Sequence, residues 1–256
     1  SSAFAPSKSP SRTASRILVA PDSRSAERAL IAELAQATAA QPLGRRLVIV
    51  PSLRLRTHLL GRLARERPAW LGLEITTLRG FARRIVEGSG EPALSGAEML
   101  EVLVVRLAAR EPALARPLGA LTDGFAGVGA VVRDLLDAGL GPDHLEPALE
   151  RVAEEEVSFG RSTIERAAAL LRVAVDAREA LLGLGLTPEA DLFARATALV
   201  TSDPDAALPS TQLFVHAIAD ATGVASDLLA AATRAFETVI VAEEPPGFEG
   251  ERLSFG

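Results

Sequence analysis

Arginines are the side chains of this sequence best placed to do chemistry. Residues 45–84 hold ten of them (45, 46, 54, 56, 62, 65, 67, 79, 83 and 84) against Glu66 and Glu74, a local balance of +8 in a chain whose net charge is −6. Arg54, His58, Arg62 and Arg65 recur at i, i+4, i+8 and i+11, the spacing of one stripe along a helix. Leu55, Leu59 and Leu63 take the neighbouring side, where they can face a core. A second set, Arg79, Arg83 and Arg84, follows the hydroxyl of Thr77, as Arg54 follows that of Ser52. Guanidinium groups present a fixed fork of donors that matches phosphate, so charge asymmetry of this kind points to a polyanion-binding face. The same pattern also suits an ordinary solvated helix face. His58 and Phe81 could stack on a base, although an aromatic at helical spacing is more often core.

Other chemistries lack their residues. Lys8 is the sole lysine and sits in a Ser/Pro-rich tail, so the body has no amine for a P-loop or a Schiff base. Arginine supplies the other 26 of 27 basic residues, a bias that fits a GC-rich genome. The absence of cysteine excludes disulfides and thiolate metal sites. His58, His144 and His216 are too scattered to form a recognisable ligand motif, and His216, in an apolar run, reads as a hydrogen-bonded core residue. Gly127 and Gly129 lack the preceding strand a dinucleotide fingerprint needs. No cofactor and no metal are expected.

The elements that must position the arginines are legible as alternating patterns. Apolar, β-branched runs at 16–20, 46–51, 73–78, 211–218 and 237–242 read as buried parallel strands. Helical patterns at 24–40, 53–66, 79–87 and 222–235 follow four of them, predicting a doubly wound, mostly parallel α/β sheet. Between the third and fourth strands the chain reads as helix. Ser95 with Glu98 and Ser162 with Glu165 fit capping boxes, Thr187-Pro188 fits a helix start, and Gly183 and Gly185 fit a stop. The expected organisation is a disordered tail over 1–15, an α/β core over 16–94 and 206–256, and a helical insertion over 95–205. No apolar run is long enough to span a membrane, and no secretory signal is evident. With no initiator Met, the chain is expected to be one piece of a longer protein, in the cytoplasm.

The first strand runs through Pro21-Asp22-Ser23-Arg24-Ser25 into a helix, the layout of a P-loop without its glycines. Ala26 stands where the lysine would, and Glu27 where the Mg²⁺-binding hydroxyl would. Ile49-Val50-Pro51-Ser52-Leu53-Arg54 resembles motif Ia of superfamily 1A helicases, and the stretch from Thr76 to Arg84 resembles motif Ib. Both are DNA-contact segments in that family. Val215 to Thr222 lies where active members carry the DExx motif, with His216 and Ala217 in place of the Asp and Glu. Val241 to Pro246 lies where motif III would, with Glu243 in its acidic position. Over roughly residues 16–246 the order of elements is similar to the degenerate motor domain of AddB/RecB-like helicase–nucleases, whose nuclease is of the PD-(D/E)XK type.

That resemblance implies a P-loop-NTPase-like sheet with a large all-helical insertion, and a pseudo-helicase: a DNA-binding scaffold without ATPase or nuclease residues of its own, partnered by DNA and by an active helicase subunit, with any nuclease carried elsewhere. The implied DNA-contact residues are Ser52, Arg54, His58, Arg62, Thr77, Arg79, Arg83 and Arg84, and the degenerate nucleotide site is Ala26, Glu27, His216, Ala217 and Glu243. Two alternatives stay open. One is a small-molecule or nucleotide-binding α/β domain with the insertion as a helical lid; the other is a module whose basic face meets an acidic protein.

Overall fold

The computed structural model describes residues 15–120, 125–209, 211–219 and 221–244. Residues 1–14 of the expected tail lie outside the described residues, as do Asp220 and everything from Pro245 onward. The chain divides into two compact units. The first comprises Ser1–Phe81, Leu199–Asp220 and Leu229–Gly256, and the second Ala82–Ala198 and Ala221–Leu228.

The first unit is built on five strands, one from each apolar run: β1 (Arg16–Ala20), β2 (Arg45–Val50), β3 (Leu73–Thr77), β4 (Thr211–His216) and β5 (Thr238–Glu243). All pair in parallel, in the order β1-β5-β4-β2-β3. The helices α1 (Ser23–Ala40) and α2 (Leu53–Glu66) close one face over Val48, Val50, Ile75, Phe214 and Val239. Leu47, Ile49, Leu213 and Val215 alternate with these and are equally buried, so the sheet is covered on both faces. The fold is α/β, a five-stranded parallel sheet flanked by helices.

Local chemistry sets the two helix starts. Asp22, extended at φ −155°, accepts from the Ser25 N–H at 2.7 Å and caps α1. Ala26, Ala29, Leu30 and Leu34 then give α1 one buried face. The Ser52 hydroxyl accepts from the Leu55 N–H at 3.2 Å and caps α2, whose buried residues are Leu59 and Leu63. Gly72 permits the approach to β3: at φ +69° it passes so close to the Gly44 carbonyl that a Cβ would lie 2.3 Å from that oxygen.

Arg46 is the unexpected member of this unit. It is 3% exposed, and its guanidinium faces carbonyls alone. It donates to Ala37 O at 2.8 Å, Gly44 O at 3.0 Å, Leu71 O at 3.4 Å and, closely, to Gln41 O. A cation placed over the last carbonyls of α1 is favoured by that helix's dipole. It is therefore a structural residue and no part of a basic surface.

The second unit is helical. It contains most of α3 (Leu78–Gly88) and α10 (Glu189–Ser202), with α4 (Ala97–Ala108), α5 (Pro112–Leu118), α6 (Ala126–Asp137), α7 (Pro142–Glu154), α8 (Glu156–Phe159) and α9 (Arg161–Gly183) between them. The short α11 (Pro204–Ala207) precedes β4, and α12 (Gly223–Ala235) follows it. The long α9 is the hub, packing on α4, α5, α6, α7 and α8. Ala169, Val173, Ala174, Ala177 and Leu181 of α9 join Val104, Leu114, Val132 and Leu136 in one apolar core.

The stop at Gly183 and Gly185 forms a Schellman motif: Leu186 N–H reaches Leu181 O, Gly185 N–H reaches Leu182 O, and Gly185 sits at φ +72°. The two capping boxes do not form. Gly96 and Gly160 occupy the N-cap positions, neither helix has a side-chain cap, and Glu165 pairs with Arg161 at 2.9 Å. The helix α4 begins two residues after Ser95 and α9 one residue before Ser162, so each hydroxyl misses the cap position.

Candidate functional site

Strand order locates the ligand edge. After β2 the chain moves outward to β3, whereas after β4 it moves the opposite way to β5, and β2 and β4 are neighbours. Their carboxyl ends therefore flank a topological switch point, where open α/β sheets hold ligands. Ser52 and Arg54 follow β2 at this crevice, His216 ends β4, and Ala217 follows it. Ala217 is the non-glycine residue at positive φ (57°) among the described residues, a left-handed conformation that costs an L-residue about 1–2 kcal/mol. Its N–H is held by Val241 O at 3.3 Å, which keeps the turn in place.

The turn after β1, expected from the sequence to be a degenerate nucleotide site, is filled by the chain's own charges. Glu27, on the second turn of α1, faces two neighbours on α2: His58 Nε2 lies 2.6 Å from one carboxylate oxygen and Arg62 Nε 2.8 Å from the other. The Arg62 Nε contact is a close charge pairing without hydrogen-bond alignment. Glu243 accepts from the Ser23 hydroxyl at 2.7 Å, and Asp22 already occupies the N-terminal donors of α1. The Ser25 N–H is the main cause that holds the Asp22 carboxyl below its usual range. A phosphate arriving here would meet three carboxylates, no lysine and a buried Ala26.

His216 lies on the same side of β4 as Phe214 and is 3% exposed. Its Nδ1 has no hydrogen-bond partner among the described residues. Burial pushes its pKa down, against the opposing pull of the Val241 carbonyl and the Glu27 charge. It is thus a core residue, as its strand position implies, but with one nitrogen unpaired.

Of the ten arginines over residues 45–84, several are engaged. Arg56 donates to Ile75 O at 2.8 Å, Arg67 lies over the Trp70 ring at 5.1 Å, and Arg83 pairs with Glu87 at 2.7 Å. Arg79 and Arg84 also have partners within the chain. Arg83 and Arg84 fall in the second unit, and Arg79 in the first. Thr77 uses its hydroxyl to accept the Gly80 N–H at 3.1 Å, at the start of α3. Phe81 is fully buried and is core. Arg54 and Arg65, both exposed on one stripe of α2, have no partner among the described residues.

Sequence reasoning missed the bond between Glu27 and the α2 stripe. The facing of α1 and α2 across one side of the sheet follows from strand order, which no local pattern encodes. Among the described residues no cluster of His, Asp and Glu could hold a metal ion, and no helix is long and apolar enough to cross a membrane. Compared with known proteins, the chain matches no family model and no curated sequence.

Proposed function

We propose that this chain is a non-catalytic DNA-binding and scaffolding domain, the degenerate motor of a cytoplasmic DNA-break-processing helicase–nuclease that works beside an active helicase subunit. The observation that carries the DNA contact is Arg54 at the ligand edge with Arg65 three turns further along the same stripe, both exposed and unpartnered among the described residues. The Asp22, Glu27 and Glu243 carboxylates around the start of α1 support the non-catalytic part, because they oppose a triphosphate where a motor would hold one. The same carboxylates disfavour the small-molecule phosphate site.

The test is fluorescence anisotropy of labelled single-stranded and duplex DNA across a salt series. Two phosphate contacts give a slope of log K against log salt of about −2 on duplex, where ten free arginines would give about −9. Replacing Arg54 or Arg65 by Gln is expected to reduce that slope by about 1 each, uniformly across DNA sequences. Mg-ATP leaves the affinity unchanged. Binding that ignores both replacements, or no binding at low salt, overturns the reading.

A further inference from the structure

The second unit contains a cleft that the DNA reading does not use. The helix α5 and the first turns of α9 line about 980 Å³ of space. Pro117, Ile164 and Ala168 give the cleft apolar surface. Arg116 and Arg172 line it as well; both are exposed and neither has a partner among the described residues. The other arginines of the cleft are occupied: Arg161 pairs with Glu165 at 2.9 Å, and Arg166 donates to Ser162 O at 3.1 Å. Beside the cleft, α8 exposes Val157 (98%) and Phe159 (64%) on opposite sides of its single turn, with Phe159 on the side of Glu156, which lines the cleft. Two large apolar side chains that open to solvent have no role in the core of this unit.

These features select one kind of occupant. Two unpaired guanidinium groups call for carboxylate or phosphate. Glu111, Glu156 and Glu165 also line the cleft, and they would repel a polynucleotide, which carries a charge at every residue. A peptide can space its carboxylates to reach the arginines and avoid the glutamates. It can also offer apolar side chains to Ile164 and Phe159, which a sugar–phosphate backbone cannot. Arginine and aromatic anchors are the residues that most often carry protein interfaces.

We propose that the α5–α9 cleft is a docking site for an acidic segment of a partner protein, its carboxylates on Arg116 and Arg172 and its apolar side chains against Ile164 and Phe159. This surface stands independently of the DNA reading, since Arg54 and Arg65 take no part in it.

A random dodecapeptide display library, panned on the full chain, tests the assignment. Enriched peptides are expected to combine acidic with apolar residues. Their affinity should drop at least about tenfold in Arg116→Glu/Arg172→Glu and in Phe159→Ser, two exposed-site variants whose folding is checked by circular dichroism. A single-stranded oligonucleotide should not displace them. No enrichment, enrichment without acidic residues, equal binding by the variants, or displacement by the oligonucleotide each overturns the proposal.

Discussion

At the scale of single residues, the buried His216 gives the fold a pH dependence. Its ring is buried, chiefly at the expense of the charged form, so its folded pKa lies below the unfolded value of about 6.5. The unfolded chain then binds the proton more readily than the folded one. This contribution to stability is complete above the unfolded pKa and is lost as pH falls below it, at up to about 1.4 kcal/mol per pH unit until the folded pKa is reached. Urea unfolding of the native chain and His216→Gln, followed from pH 7.5 to 5, separates this component from the carboxylates, whose losses come mainly at lower pH. The variant is expected to show a flatter slope between pH 6.5 and 5. Parallel curves would mean the ring is not held neutral by its surroundings. Neighbouring Glu27 has the opposite sign, since it favours the protonated ring, but burial is the larger cause.

At the scale of elements, Arg46 illustrates what one buried cation does for a helix end. Its donors satisfy carbonyls at the end of α1 and at the turns before β2 and β3. Arg46→Met removes them all while keeping an unbranched apolar stem. The expected cost is about 2–4 kcal/mol in chemical denaturation, because buried acceptors lose a charged donor at once. Arg46→Lys should recover part of it, and a loss below about 0.5 kcal/mol would show that solvent can replace the guanidinium. Nothing local distinguishes Arg46 from Arg45, so the sequence counted both in the basic face. The elements themselves were legible, because their signals are local: five apolar runs for the strands, and Asp22 and Ser52 ahead of periodic leucines for α1 and α2. Strand order was not legible. The placement of β5 between β1 and β4 rests on pairings such as Arg16 with Val239, far apart in the chain. That order is what brings Glu27 against His58 and Arg62, and so decides which arginines are left for a ligand.

At the scale of the whole chain, two separate apolar cores imply two separable unfolding events. One core gathers α1, α2 and the sheet; the other is centred on α9. Trp70, the sole tryptophan, reports on the first alone: its Nε1 donates to Leu63 O at 2.9 Å, and its ring packs against that core. Far-UV circular dichroism reports largely on the second, where most of the helices lie. Leu181 is fully buried in the second core, so Leu181→Ala should remove about 2–5 kcal/mol from that unit. The circular-dichroism midpoint is expected to fall while the Trp70 emission midpoint stays within about 0.3 kcal/mol of the native one, as for sites that share no partners. The opposing influence is the continuity of α3, α10 and α12, each of which has residues in both units. If that continuity wins, both probes shift together and the chain unfolds as one cooperative body. Coincident shifts would therefore refute independent cores and show that the three shared helices, rather than the packing within each unit, set the cooperativity.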